Sequence, residues 1–408
     1  VGTVESNCTA GPLSGVRVVD MTINVLGPVA TQILGDMGAE VIKIEPPGGD
    51  PMRDSGEGRS PRMSAFFLNM NRNKRSVVLD LKSEAGREAL LRLAETSDVL
   101  VHSMRPAAAV RLGLAYGDIS KRFPRLIYAC ATGYDPYGPL KDQPAYDDVI
   151  QGESGLADMV FRATGTAGYL PTVVADKTCG VYLASAIGMA LYCRERTGKG
   201  QEVVVPMLES MLSFNLVEHL TSGAFGDSES IGYRRALSKH RRPYQTQDGY
   251  MCVLAVNDQQ WRRLLTALGL ASVMEDPRFS TMSERSKNID RLYEILADAI
   301  STRTTQELKG LLSDADIPHG AVRKLSELLE DDYLRETGFF QTYEHPTEGT
   351  VLTTKIPQIF SETPPTFRLP PPRLGQHTGS VLKELGYSDA EIRQLEKRAA
   401  GAAFVAGV

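Results

Sequence analysis

Asp176 stands in the stretch PTVVADKTCGVYLASAIG, after a short apolar run and directly before a strongly apolar helical pattern. A carboxylate at a helix start can do one of two things. It can cap the helix by accepting hydrogen bonds from free amides. It can also attack an acyl carbon as a nucleophile, held in its charged form by the helix dipole and sheltered in a pocket. Tyr146 and Asp147, in QPAYDDVIQGESG, read either as turn chemistry or as residues lining a cleft, because loops on an α/β scaffold carry function disproportionately. The run NRNKRSV (71–77), followed by Lys82, Arg105 and Arg111, puts cations near strand ends. They form either a solvated face or a site for phosphate oxygens.

Other chemistries find little footing. The six histidines (102, 219, 240, 319, 345, 377) never fall at HxxxH or HExxH spacing, and the five cysteines (8, 130, 179, 193, 252) form no CxxC pair. Neither a metal site nor a disulfide framework is expected. The first β–α turn reads Asn24-Val-Leu-Gly-Pro28 where a dinucleotide binder carries GxGxxG, so Glu45 at the end of the next strand is not expected to hold a ribose.

The elements that must position these groups alternate along the chain. VRVVD (16–20), EVIKIE (40–45), VVLDLK (77–82), DVLVHS (98–103), RLIYACAT (125–132) and EVVVPM (202–207) read as strands. Helical patterns lie between several of them, notably 84–97 and about 177–195. Such alternation predicts an α/β fold with a mostly parallel sheet, which binds ligands beyond the carboxyl ends of its strands. Residues 133–175, rich in Gly, Pro, Asp and Tyr, read as long loops. Residues 258–330 read as a smaller, helix-rich second domain, 345–374 as an extended proline-rich connector, and about 210–230 as a further long connector. SDAEIRQLEKRA closes the pattern as a helix capped at Ser388 or Asp389.

With 408 residues, the chain has room for two or three domains. Forty-five Lys plus Arg against 50 Asp plus Glu give a net charge of −5, which offers no footprint for nucleic acid. Residues 1–15 lack the basic and apolar regions of a signal peptide, and no apolar run is long enough to span a membrane. A cytoplasmic protein is expected.

Taken together, GPLSGVRVVDMT, LGDMGAEVIKIEPPGGDPMR, NRNKRSVVLDLK, PAYDDVIQGESG, VVADKTCG, RTGKGQEVVVPMLESM, IPHGAVRKLSELLED and LGQHTGSVLKELGYSDAEI, in this order, resemble the class III CoA-transferase (CaiB/BaiF) family. The resemblance implies a Rossmann-like open sheet in a large domain built from N- and C-terminal segments (1–220 and 331–408). A smaller α+β domain (225–330) is inserted between them, and two protomers interlock as a homodimer. It implies an enzyme that moves CoA from an acyl-CoA thioester to a free carboxylic acid through an aspartyl mixed anhydride and an aspartyl-CoA thioester. CoA is then a substrate carrier, and no further cofactor is implied. The nucleophile aligns with Asp176, with Tyr146 and Asp147 beside the acyl site. The implied CoA contacts are Val25, Leu26, Leu79, Lys82, Ser103, Met104, Arg105 and Arg111. Val25 stands where some members carry a polar Gln. No glycine-rich loop of the formyl-CoA transferase kind occurs near residues 222–248, which argues against a simple formyl-CoA/oxalate assignment. The same superfamily holds 2-methylacyl-CoA racemases, which need two acid/base groups about an α-carbon. Their His corresponds to Tyr146, and a phenol with an ordinary pKa near 10 suits that task poorly. A non-catalytic CoA-binding subunit is a third reading, opposed by the presence of Asp176.

Overall fold

A computed structural model describes residues 11–227 and 230–406. Cys8 and the rest of the first ten residues lie outside that range. The chain divides into two compact units, one of residues 1–151, 173–212 and 338–408, the other of residues 152–172 and 213–337. Segment 152–172 therefore groups with the second unit rather than with the N-terminal part of the first.

The first unit is built on six parallel strands: β1 (Arg17–Met21), β2 (Glu40–Glu45), β3 (Lys74–Val78), β4 (Val99–His102), β5 (Ile127–Thr132) and β6 (Glu202–Pro206). Their order is β3-β2-β1-β4-β5-β6, the doubly wound arrangement, with its reversal between β1 and β4. Side chains alternate across the sheet as the pleat demands. Val19, Met21, Ile42, Ile44 and Val77 face one core, which is completed by the helix α2 (Glu84–Glu95) and by Val381, Leu382 and Ile392 of the C-terminal segment. Asp20, Lys43, Lys74 and Ser76 alternate with these residues and point to the opposite face, and all four are fully buried.

Two helices concern the site directly. The turn after β1 leads into α1 (Leu26–Asp36). The long helix α4 (Val174–Thr197) follows a shorter one, α3 (Asp147–Glu153). A Cβ placed on Gly180 of α4 would sit 2.8 Å from the Leu26 carbonyl oxygen. The two helices thus meet backbone to backbone, and only glycine fits there.

The second unit carries a three-stranded antiparallel sheet, β7 (Tyr244–Gln245), β8 (Tyr250–Val253) and β9 (His319–Ala321). Its helices Asp258–Ala267, Ile289–Ser301 and Thr305–Asp314 pack a core around Trp261, Leu264, Leu292, Leu296 and Leu308. Capping boxes at Asn257/Gln260 and Thr304/Glu307 start two of them.

Three expectations differ from these observations. The strand read at 77–82 runs from Lys74 to Val78, because the charges of Lys74 and Arg75 are neutralised by Asp20 and Glu40, so both can sit within the strand. The stretch 133–175 is not all loop, since it holds α3 and a helix over Leu156–Thr164. The region about 210–230, expected as a connector, is helical over Met207–His219.

Candidate active site

A cleft of about 1020 Å³ opens at the carboxyl ends of the parallel strands. Its wall includes Met21 at the end of β1, Leu79 after β3, Ser103 after β4, Gly133 after β5 and Met207 after β6. That is where an open parallel sheet presents its ligand site.

Asp176 lies on this wall, in the first turn of α4. It is not the N-cap. Val173 occupies that position and makes no side-chain cap. Instead, Asp176 receives a cap: its own backbone N–H donates to Asp147 Oδ1 at 3.0 Å. Gln151 Nε2 donates to the other Asp147 oxygen at 2.6 Å, so both oxygens of this buried carboxylate are engaged. Asp147 therefore stands behind the cleft wall and supports the turn that carries Asp176. Burial, and secondarily the negative charge of Asp147, push the Asp176 carboxyl up from its ordinary 3.8 to about 7. A carboxylate destabilised in this way is poised for protonation and for bonding to carbon alike. Tyr146 lies on the cleft wall and is exposed.

Leu79, Lys82, Ser103, Met104, Arg105 and Arg111 line the same cleft. The guanidinium of Arg105 reaches the Asp142 carbonyl at 3.1 Å. Arg87, which sequence reasoning passed over, also lines the cleft and donates to the carbonyls of Leu81 and Lys82 at 3.2 and 2.9 Å. It fixes the loop on which Lys82 stands. Its only sequence signal was its place one turn into α2. Leu26 is on the wall, whereas Val25 is buried and does not line the cleft. Asn24, its neighbour, does line it.

The loop after β4 is held from behind by His102. This buried imidazole accepts the Met104 N–H at Nδ1 (3.1 Å), so its proton is on Nε2, 2.7 Å from the Tyr128 hydroxyl. That hydroxyl donates onward to the Leu114 carbonyl at 2.7 Å. Burial lowers the His102 pKa to about 4, and the ring stays neutral.

The basic run 71–77 is neither a solvated face nor a phosphate site. Arg72 grips Asp36 at 2.7 Å, Lys74 meets Asp20 at 3.3 Å, and Arg75 bridges Glu40 and Glu384. Glu45 is likewise committed, forming a two-pronged pair with Arg53 at 2.7 Å on each side.

The model of a family described as CoA-transferase family III matches residues 13–378, nearly the whole of the chain. The chain belongs to CoA-transferase family III. Like the other members it is a transferase enzyme. Its curated relatives include the mouse succinyl-CoA:glutarate CoA-transferase, 33% identical, covering 97% of this chain and 91% of that protein. A Clostridium sporogenes cinnamoyl-CoA:phenyllactate CoA-transferase is 30% identical, covering 94% and 96% respectively. A Rhodopseudomonas palustris formyl-CoA:oxalate CoA-transferase is 32% identical, covering 96% and 97%. Among solved structures, a CAIB/BAIF family protein from Brucella suis superposes with a TM-score of 0.76 at 30% identity, covering 92% of this chain and all of that one. A mutant of Rv3272 from Mycobacterium tuberculosis gives 0.81 at 30% identity, covering 92% and 99%.

Proposed function

We propose that this enzyme transfers CoA from an acyl-CoA thioester to a free carboxylic acid, with Asp176 as the covalent carrier. The observation that carries the reading is the placement of Asp176. It is a half-buried carboxylate on the wall of a large cleft that Lys82, Arg105 and Arg111 also line. A CoA molecule has anionic phosphates at one end and a reactive thioester at the other, and the cleft lining holds both cations and a carboxylate able to act as the nucleophile.

The Asp176 carboxylate attacks the thioester carbonyl, forming an anhydride and releasing the CoA thiolate. The thiolate attacks the aspartyl carbonyl, leaving an aspartyl-CoA thioester and freeing the donor as its carboxylate. The acceptor carboxylate displaces the thiolate to form a second anhydride. The thiolate then attacks the acceptor's acyl carbon, completing the new thioester and restoring the carboxylate of Asp176. Asp147 holds the turn and Arg87 the Lys82 loop, so the chain itself preorganises both ends of the reactant.

The relatives named above act on glutarate, phenyllactate and oxalate at nearly equal identity, so likeness alone does not choose the acceptor. A donor–acceptor matrix read by mass spectrometry chooses it, and the same samples are searched for an adduct at Asp176. Asp176→Ala is expected to abolish transfer with the fold retained, and turnover in that variant would overturn the assignment. Proton transfer at an α-carbon finds no support in His102, which is sealed away from the cleft by Tyr128 and the Met104 amide. A homodimer is part of the proposal. Helix α4 leaves Val181, Met189 and Tyr192 at 58, 69 and 65% exposure, an apolar face suited to a second copy, which light scattering would detect.

A further inference from the structure

Beyond the groups already placed, the first β–α turn carries one polar side chain on the cleft wall. The other lining residues of that turn are Met21, Ile23 and Leu26, all apolar, and the polar one is Asn24. It is half-buried, and its carboxamide makes no hydrogen bond to any described residue, although its backbone is held on both sides. The Asn24 N–H donates to Asp50 Oδ1 at 3.3 Å, and Lys43 Nζ grips the Thr22 carbonyl and Asp50 Oδ2, each at 2.8 Å. Both ends of the Lys43–Asp50 pair are fully buried. Asn24 has a φ of +65°, a left-handed conformation that Asn tolerates better than most residues. A buried ion pair thus holds a left-handed turn in place, and that turn sets Asn24, its carboxamide unpaired among the described residues, on the cleft wall.

The packing of α4 on α1 brings this amide to the acyl end. Gly180, whose Cβ would meet the Leu26 carbonyl, lies one helical turn beyond Asp176 on the same face. Helical side chains lean toward the N-terminus. Asp176 therefore shares the α1-facing side of α4 with Gly180, and Asn24, two residues before Leu26, lines the same cleft.

We infer that the Asn24 carboxamide is a substrate contact: its Nδ2–H donates to the oxygen of the acyl group under attack at Asp176. That oxygen gains charge as the carbonyl carbon becomes tetrahedral, and a donor fixed beforehand stabilises it without reorganisation. The inference rests on the reading of Asp176 as nucleophile.

Two variants test it, each compatible with the left-handed backbone. Asn24→Gly removes the amide and favours the same φ. Asn24→Asp keeps the shape and replaces the donor by an anion. Both are expected to lose about 100-fold in kcat/KM, mainly in kcat, with the Kd for free CoA within about twofold of the parent. Transfer by Asn24→Gly within about twofold of the parent overturns the inference. So does a parallel loss of CoA affinity, which would move the amide's role to the carrier or to the fold. Asp176→Ala is run beside them. If it turns over, the nucleophile reading has failed. If it is dead while Asn24→Gly is active, only the present inference has.

Discussion

Position 176 sets stability against reactivity. Between pH 3.8 and about 7 the folded protein holds a proton there that the unfolded chain releases. The contribution of this group to stability is therefore complete below its unfolded value and is lost as pH rises through about 7. The role proposed for Asp176 as nucleophile needs the opposite state, so kcat/KM is expected to rise through about pH 7 and then level. Asp176→Asn removes the buried charge. We expect it to melt above the parent at about pH 8 and alongside it at about pH 4, with no transfer at either. A melting temperature at about pH 8 equal to or below the parent's would contradict this. Asp147 offers a second handle on the same group. Its charge is the lesser cause of the raised pKa and burial the greater. Asp147→Asn should therefore move the acid limb of the rate profile to lower pH without abolishing it. It should also loosen the first turn of α4, seen as faster amide exchange at Asp176. An acid limb that stays in place would show that the charge of Asp147 does not reach the nucleophile.

Among elements, the contact between α1 and α4 sets the geometry of the site. Gly180→Ala places a methyl group against the Leu26 carbonyl, backbone against backbone, where no flexible side chain can give way. It should cost about 1–3 kcal/mol in denaturant unfolding and lower kcat more than its loss of folded protein accounts for. A variant that loses stability but keeps the parent kcat would show that the spacing of the two helices does not control the reaction. The elements themselves were largely legible in the sequence, because EVIKIE and RLIYACAT carry the short apolar runs of strands buried on both faces and EVVVPM the β-branched run of a partly buried edge strand. The start of β3 was not. Lys74 and Arg75 look like a loop until their partners Asp20, Glu40 and Glu384 are in view, and those partners are distant in sequence. Helices α3 and Leu156–Thr164 were hidden by the glycines and acids around them, since the left-handed Gly155 separates two short helices that individually show little period. Asp176 was visible by type and place. That it is capped by Asp147 rather than being a cap itself depends on a contact 29 residues apart.

At the scale of the molecule, the first unit is closed by the last part of its own chain. Strand β3 lies at one edge of the sheet, where its unpaired amides would template aggregation if left open. Residues 368–378 cover that edge. Asn73 N–H donates to the Leu369 carbonyl at 2.8 Å, and the Asn73 side-chain oxygen takes the Arg368 and Leu369 amides at 2.6 and 3.0 Å. Ser76 N–H donates to His377 Nδ1 at 3.1 Å, the His377 amide returns to the Ser76 carbonyl at 2.9 Å, and Val78 N–H donates to Thr378 Oγ1 at 3.0 Å. Side chains thus stand in for a seventh strand, and the helices beyond them bring Val381, Leu382 and Ile392 into the core. A chain stopped at residue 337 loses the cover and those three core residues together, and it should collect in the insoluble fraction. His377→Leu with Thr378→Val is the finer test. It keeps the chain and the apolar volume but leaves the Ser76 and Val78 amides without acceptors, at about 1–3 kcal/mol for each unsatisfied group. The double variant should unfold at lower denaturant and show fast exchange confined to β3, while the pH profile set by Asp176 keeps its midpoint. Unchanged exchange at Ser76 and Val78 would mean that the edge is closed by packing of the C-terminal helices, with these two hydrogen bonds incidental.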